Sequence, residues 1–408
     1  MPWILIGAII AAAIAWMLVV IRRIPFAYNS GNLKARRVST GLSVLGIAVV
    51  IAVMLSMMAL DNGVTKATLS SGSKDNLIAM REGAEAELSS WISKDAAHII
   101  RTLPGIARAT DGGPLVSPEL VILFKLPRKG APKGANVTVR GVSPTAFEMR
   151  PYVKVASGRM FRPGTNELLV ARRVSERYDN LKVGDTFQFG PNVWTVCGTF
   201  EAAGTAFESE IWADLDYLGQ ARKREMYSSI LIHPIDKQAA TELATTVKND
   251  NRLKLQVRTE YQYYADQTGG LIGIRILVAI VRSFMVLGAM LGTMTTMFSA
   301  IASRKRELAT LRALGFNRRT VVGTVIVESA FVALLGGVLG VLLALPINGM
   351  STGTTNWTTF SDLAFNFNVD TVVAAKGIAL ALVAGIIGGI IPAIAAARTP
   401  ITAALREI

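Results

Sequence analysis

The sequence predicts a polytopic α-helical membrane protein with a large α+β extracytoplasmic domain. Three observations carry this: five apolar stretches of spanning length, a long polar segment between the second and third, and basic residues gathered in the short loops. A spanning helix needs about 20 mostly apolar residues. The chain has 408 residues, enough for more than one domain, and is 51% hydrophobic yet 18% charged. Its mean hydropathy of +0.41 therefore averages lipid-soluble helices with a water-soluble domain.

In chain order, the first stretch, Pro2 to Ile21, has no charge, and Arg22 and Arg23 follow it. A signal peptide carries its basic residues ahead of the apolar run, so this reads as a retained N-terminal anchor, residues 1–22. A basic cytoplasmic segment (23–38) leads to a second span (39–60). Residues 61–270 form the extracytoplasmic domain with a helical stalk, and 271–303 the stalk and third span, uncharged from Ser283 to Ser303. A cytoplasmic coupling loop (304–319), a fourth span (320–346), an extracytoplasmic loop (347–370), a fifth span (371–397) and a cytoplasmic tail (398–408) complete the chain. The fold is thus an extra N-terminal transmembrane helix plus four core helices.

Orientation follows from the loop charges. Arg22, Arg23, Lys34, Arg36 and Arg37 lie between the first two spans; Arg304, Lys305, Arg306, Arg312, Arg318 and Arg319 lie between the third and fourth. Lys and Arg mark cytoplasmic loops, and the long segment between them is close to charge balance. Most of the net charge of +14 is therefore accounted for at an anionic lipid surface, which removes the nucleic-acid reading that a pI near 10 invites.

Within the outer segment, runs at Asn76 to Arg81, Leu120 to Leu126, Asn136 to Val142, Glu167 to Ala171, Thr186 to Phe189, Val193 to Thr199 and Ser229 to His233 read as strands. Turns such as Asp111-Gly112-Gly113, Gly184-Asp185 and Gly190-Pro191 separate them. Helical windows fall at Ser93 to Thr102, Thr145 to Met149, Asp214 to Gln220 and Asp236 to Asp250. From about Thr259 the pattern stays helical through Ser303, interrupted mainly at Gly269-Gly270. Arg275 and Arg282 share one face of it, suited to lipid headgroups or to an acidic partner in the stalk.

The spans carry GxxxG pairs at Gly288 and Gly292, Gly336 and Gly340, and Gly385 and Gly389, spacings that let helices approach closely within a subunit or across a dimer. Glu328, about two turns into the fourth span, is a buried acid with either a coupling or proton-handling role or a structural one, bonded to a neighbouring backbone or to a basic loop residue. The single cysteine, Cys197, alternates with apolar residues in a strand and reads as a small buried hydrophobe; the two histidines, His98 and His233, stand far apart. Trp357, Phe360, Phe365 and Phe367 read as an interfacial aromatic belt, or as a gate at the outer mouth of a dimer. No nucleophile–base pair or paired carboxylates stand out, so the chain reads as no enzyme in itself, with no catalytic, cofactor-binding or metal residue.

Four blocks then carry a family resemblance: Asn32 to Val53 (NLKARRVSTGLSVLGIAVVIAV); the set VRGVSP, SGRMF, ELLVARR, LKVGDTFQFG and WTVCGTF between Val139 and Phe200; Arg304 to Arg319 (RKRELATLRALGFNRR) with the VVGTVIVESAFVALLGGVLG after it; and Gly385 to Ile408 (GIIGGIIPAIAAARTPITAALREI). In order and spacing the chain resembles the MacB/LolC/FtsX-like permeases, the type VII ABC transporter class, over about Asn32 to Ile408. It departs from them in the extra N-terminal helix and in lacking a nucleotide-binding motif: there is no GxxxxGK[ST], and LSSGS (Leu69 to Ser73) has no P-loop before it.

The resemblance implies a homodimeric inner-membrane permease driven by two copies of a separate ABC ATPase, which would bind the ATP and Mg. It also implies a periplasmic adaptor or membrane-fusion protein, and lipids as further partners. ATP-driven closure would be transmitted by long helices to the periplasmic domain, for export or extraction of a lipid, lipoprotein, peptide or small hydrophobic substrate. It makes Arg304, Arg306, Glu307, Leu308, Leu311, Arg312, Leu314 and Gly315 the ATPase-coupling segment, with Leu308, Leu311 and Leu314 as an apolar stripe for a partner groove. Alternative readings are an FtsX-like regulator that activates a cell-wall hydrolase and a membrane-anchored sensor without an ATPase.

The topology predicts that, in a Cys197→Ser background, a membrane-impermeant thiol reagent added outside modifies Lys248→Cys and spares Arg318→Cys. The reverse pattern would overturn the orientation.

Overall fold

The computed structural model describes residues 37–130, 134–189, 192–356 and 358–400. The expected first span, the basic residues before Arg37, Trp357 and the tail beyond residue 400 lie outside them. Two compact units are present, each described by itself. One comprises the described chain up to Asn62 with Arg275–Gly349 and the residues from Phe367 on; the other comprises Gly63–Ile274 and Met350–Asn366.

The first unit is helical. Among the described residues four helices are long and apolar enough to cross a membrane. They lie in α1 (Arg37–Leu69), α8 (Ile272–Ala302), α10 (Arg318–Ala344) and α11 (Thr371–Arg398), with the short α9 (Lys305–Ala313) between the second and third. Inside lipid every backbone polar group must find its partner within the segment, which selects helices here. α1 extends past the expected end of its span, through Asp61 and Lys66 to Leu69.

The second unit is built on a mixed sheet. Its elements in order are β1 (Leu77–Arg81), α2 (Lys94–Arg101), β2 (Val116–Leu126), β3 (Ala135–Val142), α3 (Thr145–Met149), β4 (Lys154–Gly158), β5 (Glu167–Ala171), α4 (Arg172–Arg177), β6 (Thr186–Phe189), β7 (Asn192–Glu201), β8 (Glu210–Asp214), α5 (Leu215–Ala221), β9 (Ser229–Ile232), α6 (Lys237–Asn249), β10 (Leu255–Thr259) and α7 (Glu260–Gln267). A two-stranded hairpin, β11 (Ser351–Asn356) and β12 (Ser361–Asn366), belongs to the same unit. The strand order is β10-β1-β9-β2-β3-β8-β5-β7-β4, with β6 also on β7; β3–β8 and β5–β7 are parallel. β5 skips Cys197 on β7, so this residue sits in a bulge, its thiol pointing to the Leu168 carbonyl (3.2 Å) and pushed up to about 11 by burial. β1 is buried on both faces: Leu77 and Ala79 join a core with α2 and α6, and Ile78 and Met80 a larger one with β2, β3, β5, β7 and β8.

Two arginines stand inside this second core. Arg140 on β3 donates to Glu87 (2.8 Å), Glu119 (2.7 Å) and Glu210 (2.8 Å), and Arg150 to Glu119 (2.5 Å) and Glu260 (3.1 Å). The other oxygen of Glu260 accepts from the Ser73 N–H and the Asn76 amide, both at 3.0 Å. Trp212 donates to Glu210 and Ser229 to Glu87. Phe207 lies against both guanidinium groups, 5.3 and 4.7 Å from its ring centre. Burial opposes the charged form of Glu119, yet Arg150 and Arg140 outweigh it and hold the carboxyl below its usual range. At Glu260 burial outweighs Arg150, and the carboxyl is pushed up.

The two acids pull stability in opposite directions with pH. Glu119 titrates lower folded than unfolded, so its contribution is present above the ordinary carboxylate range and lost as pH falls through the folded value. Glu260 titrates higher folded, so its contribution is lost as pH rises through the folded value. Glu119→Gln should therefore flatten the acid limb of the unfolding profile followed by tryptophan emission, and Glu260→Gln the limb on the other side. Arg140→Met, which removes the guanidinium shared by three buried carboxylates, should cost about 3–5 kcal/mol. An acid limb unchanged in Glu119→Gln would contradict the pairing.

Candidate coupling site

The loop after α8 folds into α9, whose sequence complements its own dipole, with Glu307 in the first turn and Arg312 in the last. Gly315 ends it in the left-handed conformation (φ +94°). The Gly315 N–H bonds the Arg312 carbonyl (3.1 Å) and the Phe316 N–H the Leu311 carbonyl (3.2 Å), the double bond of a Schellman C-cap. A residue with a Cβ is strained at Gly315, so this turn requires glycine.

Arg304 stands at the N-cap and is buried. Its guanidinium donates to both oxygens of Glu328 on α10, at 3.0 and 2.7 Å, and reaches Glu307 at 3.3 Å. Of the partners expected for Glu328, the one present is a basic loop residue, Arg304. At the other end of α9, Arg312 donates to the carbonyl of Thr399, just past α11. Between them Leu308 is buried with Val321, Ala396 and Ala397, and Leu311 packs part-buried on this group. The helix is thus fastened to both α10 and α11.

This corrects the apolar stripe expected for a partner. Leu308 faces inward, because the small residues Ala396 and Ala397 leave room for it, and Leu311 is half spent in the same way. The apolar surface that remains is Leu314, 72% exposed, and Phe316, 40% exposed, at the C-terminal turn. Lys305, Arg306 and Glu307 form the exposed side of the first turn.

The glycine pairs separate into two kinds. A Cβ at Gly336 or Gly340 would meet Ile47 and Ile51 of α1 at 2.7–2.8 Å, and one at Gly385 or Gly389 would meet Ala333 and Ser329 of α10 at 2.2–2.3 Å. These four positions are needed for packing within the subunit. Gly288 and Gly292 face nothing within 4 Å. Arg275 takes an acidic partner, Asp61 of α1, at 3.5 Å, rather than standing alone toward headgroups. Of the aromatic group between the last spans, Phe365 is 1% exposed and Phe360 is exposed, so these two do not form one belt. Among the described residues no group of three or more His, Cys, Asp or Glu is placed to hold a metal.

Residues 40–250 match the MacB-like periplasmic core domain and residues 279–401 the FtsX-like permease C-terminal region. The macrolide export ATP-binding/permease protein MacB of Hahella chejuensis is 22% identical over 91% of this chain and 58% of its own length. The Pasteurella multocida protein of the same name is 24% identical over the same shares. The chain therefore spans little more than half the length of these relatives. Among solved structures, the periplasmic region of MacB from Actinobacillus actinomycetemcomitans aligns with a TM-score of 0.37 at 11% identity, over 48% of this chain and 92% of that one. The extracellular domain of the Gram-positive transporter YknZ aligns with a TM-score of 0.35 at 12% identity, over 45% and 100%.

Removing one member of a buried ion pair costs about 3–5 kcal/mol, whereas replacing both by apolar groups is often neutral. Arg304→Met and Glu328→Leu should each lower the unfolding temperature in detergent, and the double variant should recover most of the loss. Simple additivity of the two losses would mean that the pair is not formed.

Proposed function

The chain belongs to the MacB-like periplasmic core domain family, and from that premise we propose that it is the permease subunit of an ABC transporter, with α9 as the seat of the ATPase. The observation that carries this is the double fastening of α9 to α10 through Arg304–Glu328 and to the end of α11 through Arg312. A surface helix held at both ends moves with the helices it is fastened to. A partner that grips its free turn, at Leu314 and Phe316, displaces α10 and α11 together. An amphipathic helix end seated in a groove is a recurring mode of recognition.

In this reading two copies of the chain lie in the inner membrane, each with one copy of a separate ATPase chain that binds ATP and Mg. The work is done on the extracytoplasmic domain, for export or extraction of a lipid, lipoprotein, peptide or small hydrophobic molecule handed to a periplasmic adaptor. The macrolide-export names of the relatives favour export over hydrolase regulation.

The chain, tagged and purified from native membranes, should bring with it a P-loop protein whose ATP hydrolysis vanadate traps. Leu314→Asp places a carboxylate where an apolar contact is buried, a cost of several kcal/mol if desolvated. Since tenfold in affinity is about 1.4 kcal/mol, the ATPase should be lost while the permease still inserts. Arg318→Gln should change little. Full ATPase binding and stimulated hydrolysis in Leu314→Asp would remove α9 as the seat.

A further inference from the structure

The segment between the last two spans is a strand pair that belongs to the extracytoplasmic unit. Its inner strand is buried from Ser361 to Phe365, with Ala364 and Phe365 each 1% exposed. The Asp362 carboxylate, 7% exposed, takes Arg128 at 2.5 Å, Arg177 at 3.1 Å and the Tyr178 hydroxyl at 2.8 Å. The Ala364 N–H bonds Ser209 (2.7 Å), Asn136 donates to the Phe360 carbonyl (3.0 Å), and Arg177 occupies the space that a Cβ at Gly353 would need. A cavity of about 40 Å³ is lined by Asp362 together with Glu87, Arg140 and Glu210. The hairpin and the buried charge network thus border one cavity.

Its two ends run into the spans with little slack. The 3₁₀ turn Leu345–Ile347 and residues 348–350 separate it from the end of α10, and 367–370 separate it from the start of α11. At full extension a trans chain covers about 3.3–3.6 Å per residue, so linkers this short leave limited room for the hairpin to move independently of the spans. The linkers are also tied together: the Gly349 N–H bonds the Phe367 carbonyl, and Asn348 accepts from the Val369 N–H, both at 2.9 Å. Asn62 on α1 donates to the Asn368 carbonyl and to Asp370, the N-cap of α11.

We propose that this hairpin is a strap that delivers displacement of α10 and α11 into the extracytoplasmic sheet, and that Asp362 is the positioning residue that fastens it. The function assigned to the strap rests on the permease reading above; the fastening does not. A loop that only closed the polypeptide between two spans would need neither a buried carboxylate with three donors nor a fully buried strand.

The test uses the full chain with its co-purified ATPase in lipid nanodiscs, in a Cys197→Ser background with an environment-sensitive dye on Lys248→Cys. Asp362→Asn keeps the shape and removes the charge. Amide exchange across residues 351–366 should rise about tenfold or more, the ratio that about 1.4 kcal/mol of lost fastening gives. The ATPase should still co-purify, and the ATP-dependent dye signal should fall by well over half. In a separate set without the dye site, Asn136→Cys with Phe360→Cys, joined by a short bismaleimide, should restore the ATP-dependent exchange change of the outer domain in the Asp362→Asn protein. A merely structural loss would not be rescued in this way. Unchanged exchange at the hairpin would overturn the fastening, and an undiminished ATP response with the hairpin released would overturn the strap. An absent ATP response in the unmutated protein would instead sink the permease reading, while the exchange arm still decides the fastening.

Discussion

The extracytoplasmic unit is organised around the two guanidinium groups of Arg140 and Arg150. Taking charges out of water is costly, and the Coulombic return repays it only when the geometry is close and the remaining lone pairs are filled. Here every carboxylate in the group has at least two donors, and β2, β3 and β8 each contribute one charged residue. Such a group tolerates few alternative registers. Sliding any of these strands by one residue turns its charged side chain to the other face and leaves its partners unpaired in the core. The network thus specifies which strands meet, whatever it adds to net stability.

Glu260 extends that constraint to the chain entering and leaving the domain. It opens α7, the lead-in to α8, and accepts from Ser73 and Asn76 on the segment that follows α1. Gly72 makes the meeting possible, since a Cβ there would stand 2.6 Å from the Glu260 carbonyl oxygen. The two connections that flank the domain are therefore tied to each other and, through Arg150 and Glu119, to the middle of the sheet. In the helical unit, small residues play the corresponding part. Ile47 and Ile51 of α1 seat on Gly336 and Gly340, and α10 seats on Gly385 and Gly389, so close backbone approach replaces the hydrophobic drive that lipid cannot supply.

Much of the architecture was legible in the sequence, and the misses share a cause. The spans were read from apolar length, and β5 and β6 from alternation between turns, because those signals are local. β4 gave none, being exposed at all five positions, and β8 (EIWAD) is buried at all five, so neither alternates. The hairpin was masked by its threonines and by sitting between two spans, where an aromatic group suggested an interface. The charge network was invisible because Glu119, Arg140 and Glu210, read singly, are ordinary polar positions on strands. At the candidate coupling site the sequence brought out Glu328 and the leucine stripe, and placed Arg304 among the coupling residues without pairing it with Glu328. It could not say which leucines the protein would keep for itself, since that depends on Ala396 and Ala397, some ninety residues away.

These three fastenings form a sequence with a direction. Arg304–Glu328 and Arg312–Thr399 make α9 part of α10 and α11. Short, cross-bonded linkers join those helices to the hairpin. Asp362 seats the hairpin beside the network on which the sheet is ordered. The first and last of these joints rest on ion pairs with at least one partner at low exposure, and the linkers between them are held by backbone and asparagine bonds. The transmission proposed above would run through these joints, from α9 by way of α10 and α11 to the hairpin.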